Sequence, residues 1–206
     1  MGIKMENQEK KVNRVKPSLR SLLLVFSVIF VIFFINGCAR WPDGPGGVEQ
    51  KLLVIRVDIN ENGEINTENG NYYIVFDTKE DALLPPPKDI DDWEEGYYYI
   101  KLDNYGLCFG QWGISPCQYT SVNVEGEKYF RINLDLDELG NPEKIFMNVI
   151  TTNNDDETYD YMDNSPELTI DTSWTDYNKI VDDFSSDSAG VPDFDIIKVT
   201  ISLVGS

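Results

Sequence analysis

From Lys51 onward the prevailing apolar period is two, and no stretch sustains a 3.6-residue period over three turns. A strand turns successive side chains to opposite faces, so this pattern restricts the chain to sheets that each bury one face. It is clearest at 129–136, where Phe130, Ile132, Leu134 and Leu136 share one side and Arg131, Asn133 and Asp135 take the other. Leu53, Ile55, Val57 and Ile59 repeat the arrangement opposite Arg56 and Asp58. Further strands are expected at 72–76, 97–102, 144–151 and 196–203, the last through Ile197, Val199, Ile201 and Leu203. Asn62-Gly63, whose residues tolerate positive φ, is expected to close a hairpin, and Leu139-Gly140-Asn141-Pro142 breaks another run. Residues 177–184 are read as a short helix. Short, half-apolar strands separated by turn signals predict an all-β fold, an antiparallel β-sandwich, as a single domain over 51–206.

The first 37 residues follow different rules. Lys4, Lys10, Lys11, Arg14, Lys16 and Arg20 make the start basic, and 22–35 is apolar except for Ser27. A basic segment followed by a short apolar stretch is the pattern of a secretory signal, and the stretch falls short of the roughly 20 residues of a comfortable bilayer span. It ends in Ile35-Asn36-Gly37-Cys38. That ending resembles the lipobox of bacterial lipoproteins, although Asn36 departs from the usual small or aliphatic residue. The resemblance implies cleavage before Cys38, acylation of its thiol, and a durable anchor of at least two acyl chains. The alternative is an uncleaved signal anchor. Both place the rest of the chain outside the cytoplasm, at the face of a cell membrane or outer membrane. Pro42, Gly44, Pro45, Gly46 and Gly47 make 38–50 a flexible tether.

Charge is concentrated in the exported part. Of 17 basic residues six precede Cys38, and of 36 acidic residues only two do, leaving 11 against 34 and a net charge of −23. Such a field repels nucleic acid, which is excluded as a partner, and favours divalent cations. Setting Cys38 aside leaves Cys108 and Cys117, an even pair that reads as a disulfide in an oxidising compartment. The chain has no histidine. Serine and cysteine triads and histidine–zinc sites are therefore excluded, and only carboxylate chemistry of the glycosidase kind remains for catalysis. No enzymatic activity is expected.

Three groups of residues are candidates for binding. Asp58, Asn60 and Asn62, ahead of Gly63 and Ile65, match the opening of a calcium loop, with oxygens at positions one, three and five. Asn69 stands where a bidentate glutamate is needed, and strands flank the segment in place of helices; a polar hairpin tip explains the same residues. Asp155, Asp156 and Asp160 belong to an acidic cluster that offers hard oxygen ligands to calcium or is simply a solvated loop. Trp93 and Trp112 lie in or near loops and Tyr97 and Tyr99 share one strand face, where rings either stack on sugars or fill a core.

The segments Arg131-Ile132-Asn133-Leu134-Asp135 and Phe146-Met147-Asn148-Val149-Ile150-Thr151-Thr152-Asn153, with Tyr161-Met162-Asp163 and Asp195-Ile196-Ile197-Lys198-Val199, resemble the later strands of DOMON-like or family-9-type carbohydrate-binding sandwiches. The resemblance covers about half of the exported chain. It implies a sandwich with structural calcium and a sugar or haem ligand, the haem disfavoured without histidine. The expectation is a lipid-anchored binding or envelope-structural protein whose partners are the membrane and a glycan or another envelope protein. Carbohydrate binding and carboxylate-based glycoside hydrolysis are the sharper alternatives.

Overall fold

A computed structural model describes residues 51–120, 127–163, 165–174, 176–183 and 191–205. The expected signal segment, Cys38 and the expected tether at 38–50 lie outside the described residues. Strands β1 (Lys51–Ile59), β6 (Tyr129–Asp135), β10 (Tyr177–Asp182) and β11 (Ile196–Gly205) form one antiparallel sheet in the order β10-β11-β1-β6. The second sheet uses β2 (Gly70–Asp77), β3 (Tyr98–Asp103), β4 (Gly106–Gln111), β5 (Ser115–Thr120), β7 (Lys144–Asn153), β8 (Thr158–Tyr161) and the short β9 (Ile170–Asp171). Its order is β5-β4-β3-β2-β7-β8, with β9 also on β7. No α-helix occurs among the described residues. The all-β sandwich read from the alternation is the fold.

Register explains why the core closes. Leu203, Leu53 and Leu134 stand side by side across β11, β1 and β6, followed by Ile201, Ile55 and Ile132, then Val199, Val57 and Phe130. All nine are buried. They meet Tyr72, Ile74 and Phe76 of β2, and Ile145, Met147 and Val149 of β7, across the sandwich. A slip of one residue would turn every one of these side chains to solvent, so the register is fixed by burial.

The larger sheet departs from the one-faced pattern. β2 is buried along its whole length, and β7 along all but its two end residues. Their outward residues Tyr73, Val75 and Ile150 are covered by Ile90, Trp93 and Tyr97 from the long connection between β2 and β3. This explains the near-continuous apolar runs of both strands, since a strand covered on two sides has no polar face to show.

Three expectations are corrected. Asn62-Gly63 does not close a hairpin, because β1 and β2 belong to different sheets. The turn instead carries the chain across the sandwich, and Gly63 is needed because a Cβ there would sit 2.2 Å from the Pro192 carbonyl oxygen. Residues 177–182 form edge strand β10 rather than part of a short helix at 177–184. Pairing with β11 and the strand preference of β-branched Ile180 and Val181 act together; Phe184 lies outside the described residues. In β11, Ile196 rather than Ile197 enters the core, because a bulge opposite Asp58 and Ile59 shifts the alternation by one residue.

The expected disulfide is present. Cys108 of β4 and Cys117 of β5 are bonded with Cα atoms 5.4 Å apart, stapling the outermost strand to the sheet.

Candidate functional site

The four aromatic candidates do come together, as packing. Trp93, Tyr97 and Tyr99 are 6%, 6% and 8% exposed, and Trp112 is half-buried against them. Trp93 meets Tyr73 and Trp112 edge-on, with ring centroids 5.5 and 5.2 Å apart, and its Nε1 donates to the Pro87 carbonyl at 2.9 Å. Tyr99 closes the group at 5.9 Å from Trp112. Burial pushes the Tyr97 and Tyr99 hydroxyls above the ordinary tyrosine range. Stacking on a sugar needs an open ring face, and here Trp93, Tyr99 and Trp112 pack against one another while Lys79 lies over Tyr97, 5.1 Å from its ring centroid. The cluster is a second, smaller core that pins the β2–β3 connection to the sheet.

The calcium-like segment is held by its own hydrogen bonds. Arg56 grips the Asp58 carboxylate, its Nε at 3.0 Å, and Lys198 lies 3.9 Å from the other oxygen. Asn60 Oδ1 accepts from the Asn62 N–H at 2.9 Å, and Asn60 Nδ2 donates to Asp195 at 2.6 Å. Asp193, beside it, accepts from the Glu64 N–H and from Asn66 Nδ2. Asp193 and Asp195 are thus half-buried clamps between this turn and the start of β11.

The second acidic cluster splits in two. Asp155 and Asp156 lie in the β7–β8 turn and face a groove of about 470 Å³, whose other wall carries Lys88, Asp89 and Asp91. Asp156 has a positive φ of 63° and accepts from the Tyr73 hydroxyl at 2.8 Å and from Asn71 Nδ2 at 3.2 Å. Burial, together with this carboxylate, drives the Tyr73 hydroxyl far above the ordinary range. Thr158 donates to the Lys88 carbonyl, fastening the turn to the covering loop. Asp160 points the other way, into the sandwich, and is fully buried. Its Oδ2 accepts the Ile196 N–H at 2.6 Å, while Oδ1 has no partner. Burial pushes the carboxyl up to about 7; backbone N–H groups of Ile196 and Tyr161 oppose the shift, and Asp183 and Asp195 add to it. Among the described residues no group of three or more acidic or cysteine side chains is arranged to hold a metal ion.

The outer face of the four-stranded sheet was not singled out from the sequence. Register stacks it in rows across β11, β1 and β6: Val204, Leu52 and Asp135; Ser202, Val54 and Asn133; Thr200, Arg56 and Arg131; Lys198, Asp58 and Tyr129. Arg56 and Arg131, the only arginines after residue 40, are direct cross-strand partners. Arg56 is immobilised by Asp58 and by the Tyr129 ring, whose centroid lies 3.8 Å from its guanidinium carbon. Arg131 is exposed and has no protein partner among the described residues. Both were legible as outward-facing; their adjacency, 75 positions apart in sequence, needed the register. Around them Val54, Thr200, Ser202 and Val204 line a shallow groove of about 360 Å³.

No family model matches this chain. Neither a curated protein nor a solved structure matches it either.

Proposed function

We propose that this chain is an exported lipoprotein, cleaved before Cys38, anchored there by lipid, and carrying its β-sandwich at the extracytoplasmic face as a non-catalytic binding module. The observation that carries the reading is the Cys108–Cys117 bond in a chain whose N-terminus has a signal-like charge and hydropathy pattern ending in Gly37-Cys38. Disulfides persist in oxidising compartments and are rare in the cytosol, so the bond and the signal pattern point to the same address. The tether of 13 residues before β1, rich in proline and glycine, suits a domain held off a membrane.

Intact mass and detergent partitioning of the protein from its native membrane, beside a Cys38→Ala variant, test this. The expected result is a chain beginning at Cys38 with a lipid-sized increment and partitioning into detergent, both lost in the variant. An unmodified chain retaining residues 1–37 would replace the lipoprotein with a signal-anchored protein.

A further inference from the structure

We propose that the outer face of the four-stranded sheet binds a carboxylate-bearing saccharide, with Arg131 taking the carboxylate beside the immobilised Arg56. This gives a ligand class to the binding module proposed above, and rests on that reading. Like charges placed directly opposite each other destabilise a sheet, so two guanidinium groups in register need a compensating anion. Asp58 supplies one for Arg56 only. Arg131 retains its planar fork of donors, the geometry that matches a carboxylate with two parallel hydrogen bonds.

The surroundings select the rest of the ligand. Asn133, Thr200 and Ser202 project from the same face, and none of their side chains has a protein partner among the described residues. Hydroxyl and amide groups that both donate and accept suit a polyhydroxylated ligand. Val54 lies among them and offers apolar surface to the C–H face of a sugar ring. A groove of about 360 Å³ accommodates one or two sugar units rather than a protein surface. Protein interfaces are anchored by buried aromatic residues and arginine, and Tyr129, the only aromatic in these rows, is already committed to Arg56. The chain's net charge of −19 opposes polyanions of high charge density. A single carboxylate in contact with Arg131 is governed by its immediate neighbours, because more distant exposed charges are screened beyond about 10 Å at 0.1 M salt.

The test is calorimetric titration of the detergent-solubilised full chain with an oligogalacturonate of two sugar units and, separately, with its neutral methyl ester. Oligogalacturonate is expected to bind, more weakly as sodium chloride is raised, and the ester is expected to bind at least about tenfold more weakly, as is oligogalacturonate to Arg131→Gln. Arg131 is exposed and its repulsion with Arg56 is relieved in the variant, so the variant should melt at or slightly above the wild-type temperature; should it melt lower, Asn133→Ala at the neighbouring row gives a second reading, with a smaller loss expected. Equal binding of acid and ester, an unchanged affinity in both variants, or no binding of oligogalacturonate would overturn the proposal. So would Arg131-dependent capture of polyglutamate or of anionic phospholipid vesicles in place of the saccharide. A chain that carries lipid at Cys38 yet ignores oligogalacturonate refutes this site and leaves the anchoring reading standing.

Discussion

Replacing Asp160 by asparagine should remove a pH dependence built into the sandwich. The side chain is fully buried at the edge of β8, bonded to the first residue of β11, with one oxygen unpartnered. Its carboxyl titrates at about 7 in the folded protein because burial penalises the ionised form. In the unfolded chain an aspartate titrates near ~3.9. Between those values the native state holds a proton that the unfolded state has released, so the native state loses stability as pH rises through the interval. The gap corresponds to about 4 kcal/mol, fully present below pH ~3 and lost above pH ~8. Asp160→Asn keeps an oxygen for the Ile196 N–H and cannot ionise. The variant's amide is buried where Oδ1 had no partner, which costs about 1–3 kcal/mol, independent of pH. Urea unfolding followed by tryptophan fluorescence from about pH 4.5 to about pH 8 gives both stabilities. The difference between the two chains should move by about 3 kcal/mol in the variant's favour across the range, the first ~1 kcal/mol having been lost below pH ~4.5. Repulsion among the other carboxylates is shared by both chains and cancels in that difference. Parallel curves, with the variant losing stability as fast as the wild type, would refute the assignment of this titration to Asp160.

Two further outcomes can be checked by the same unfolding measurements. Replacing Cys108 and Cys117 together by serine should cost about 2–3 kcal/mol, the loop-closure value for a short ring, and reducing agent should then shift the wild type but not the variant. Gly63→Ala should cost about 2–3 kcal/mol, because its Cβ would meet the Pro192 backbone at 2.2 Å and the turn that crosses between the sheets would have to move; a melting temperature equal to wild type would mean the turn is looser than its packing implies.

The alternation in 51–59 and 129–136 was enough to establish the fold class, because an amphipathic strand has one way to bury its apolar side. The cysteine pair likewise followed from its number and spacing. The sequence alone also determined the charge of residues 38–206 and the absence of histidine chemistry. What it left open depends on pairs far apart in the chain. Asn62-Gly63 has the local chemistry of a hairpin, yet only the assignment of β1 and β2 to different sheets shows what it turns between. Asp155, Asp156 and Asp160 read as one cluster, but an intervening register shift between β7 and β8 accompanies their division into two turn residues at a surface groove and one buried acid. Trp93 and Trp112 left both a sugar and a core open on sequence alone, and the β2–β3 connection folded back over the sheet puts them in a core. Arg56 and Arg131 were each visible as outward residues, and only strand pairing made them neighbours. Periodicity is a local property set by the geometry of a single strand, so the sequence carries it. Which strand lies beside which, and which face a loop covers, is decided by burial of the whole chain at once, and the candidate binding face exists only at that level.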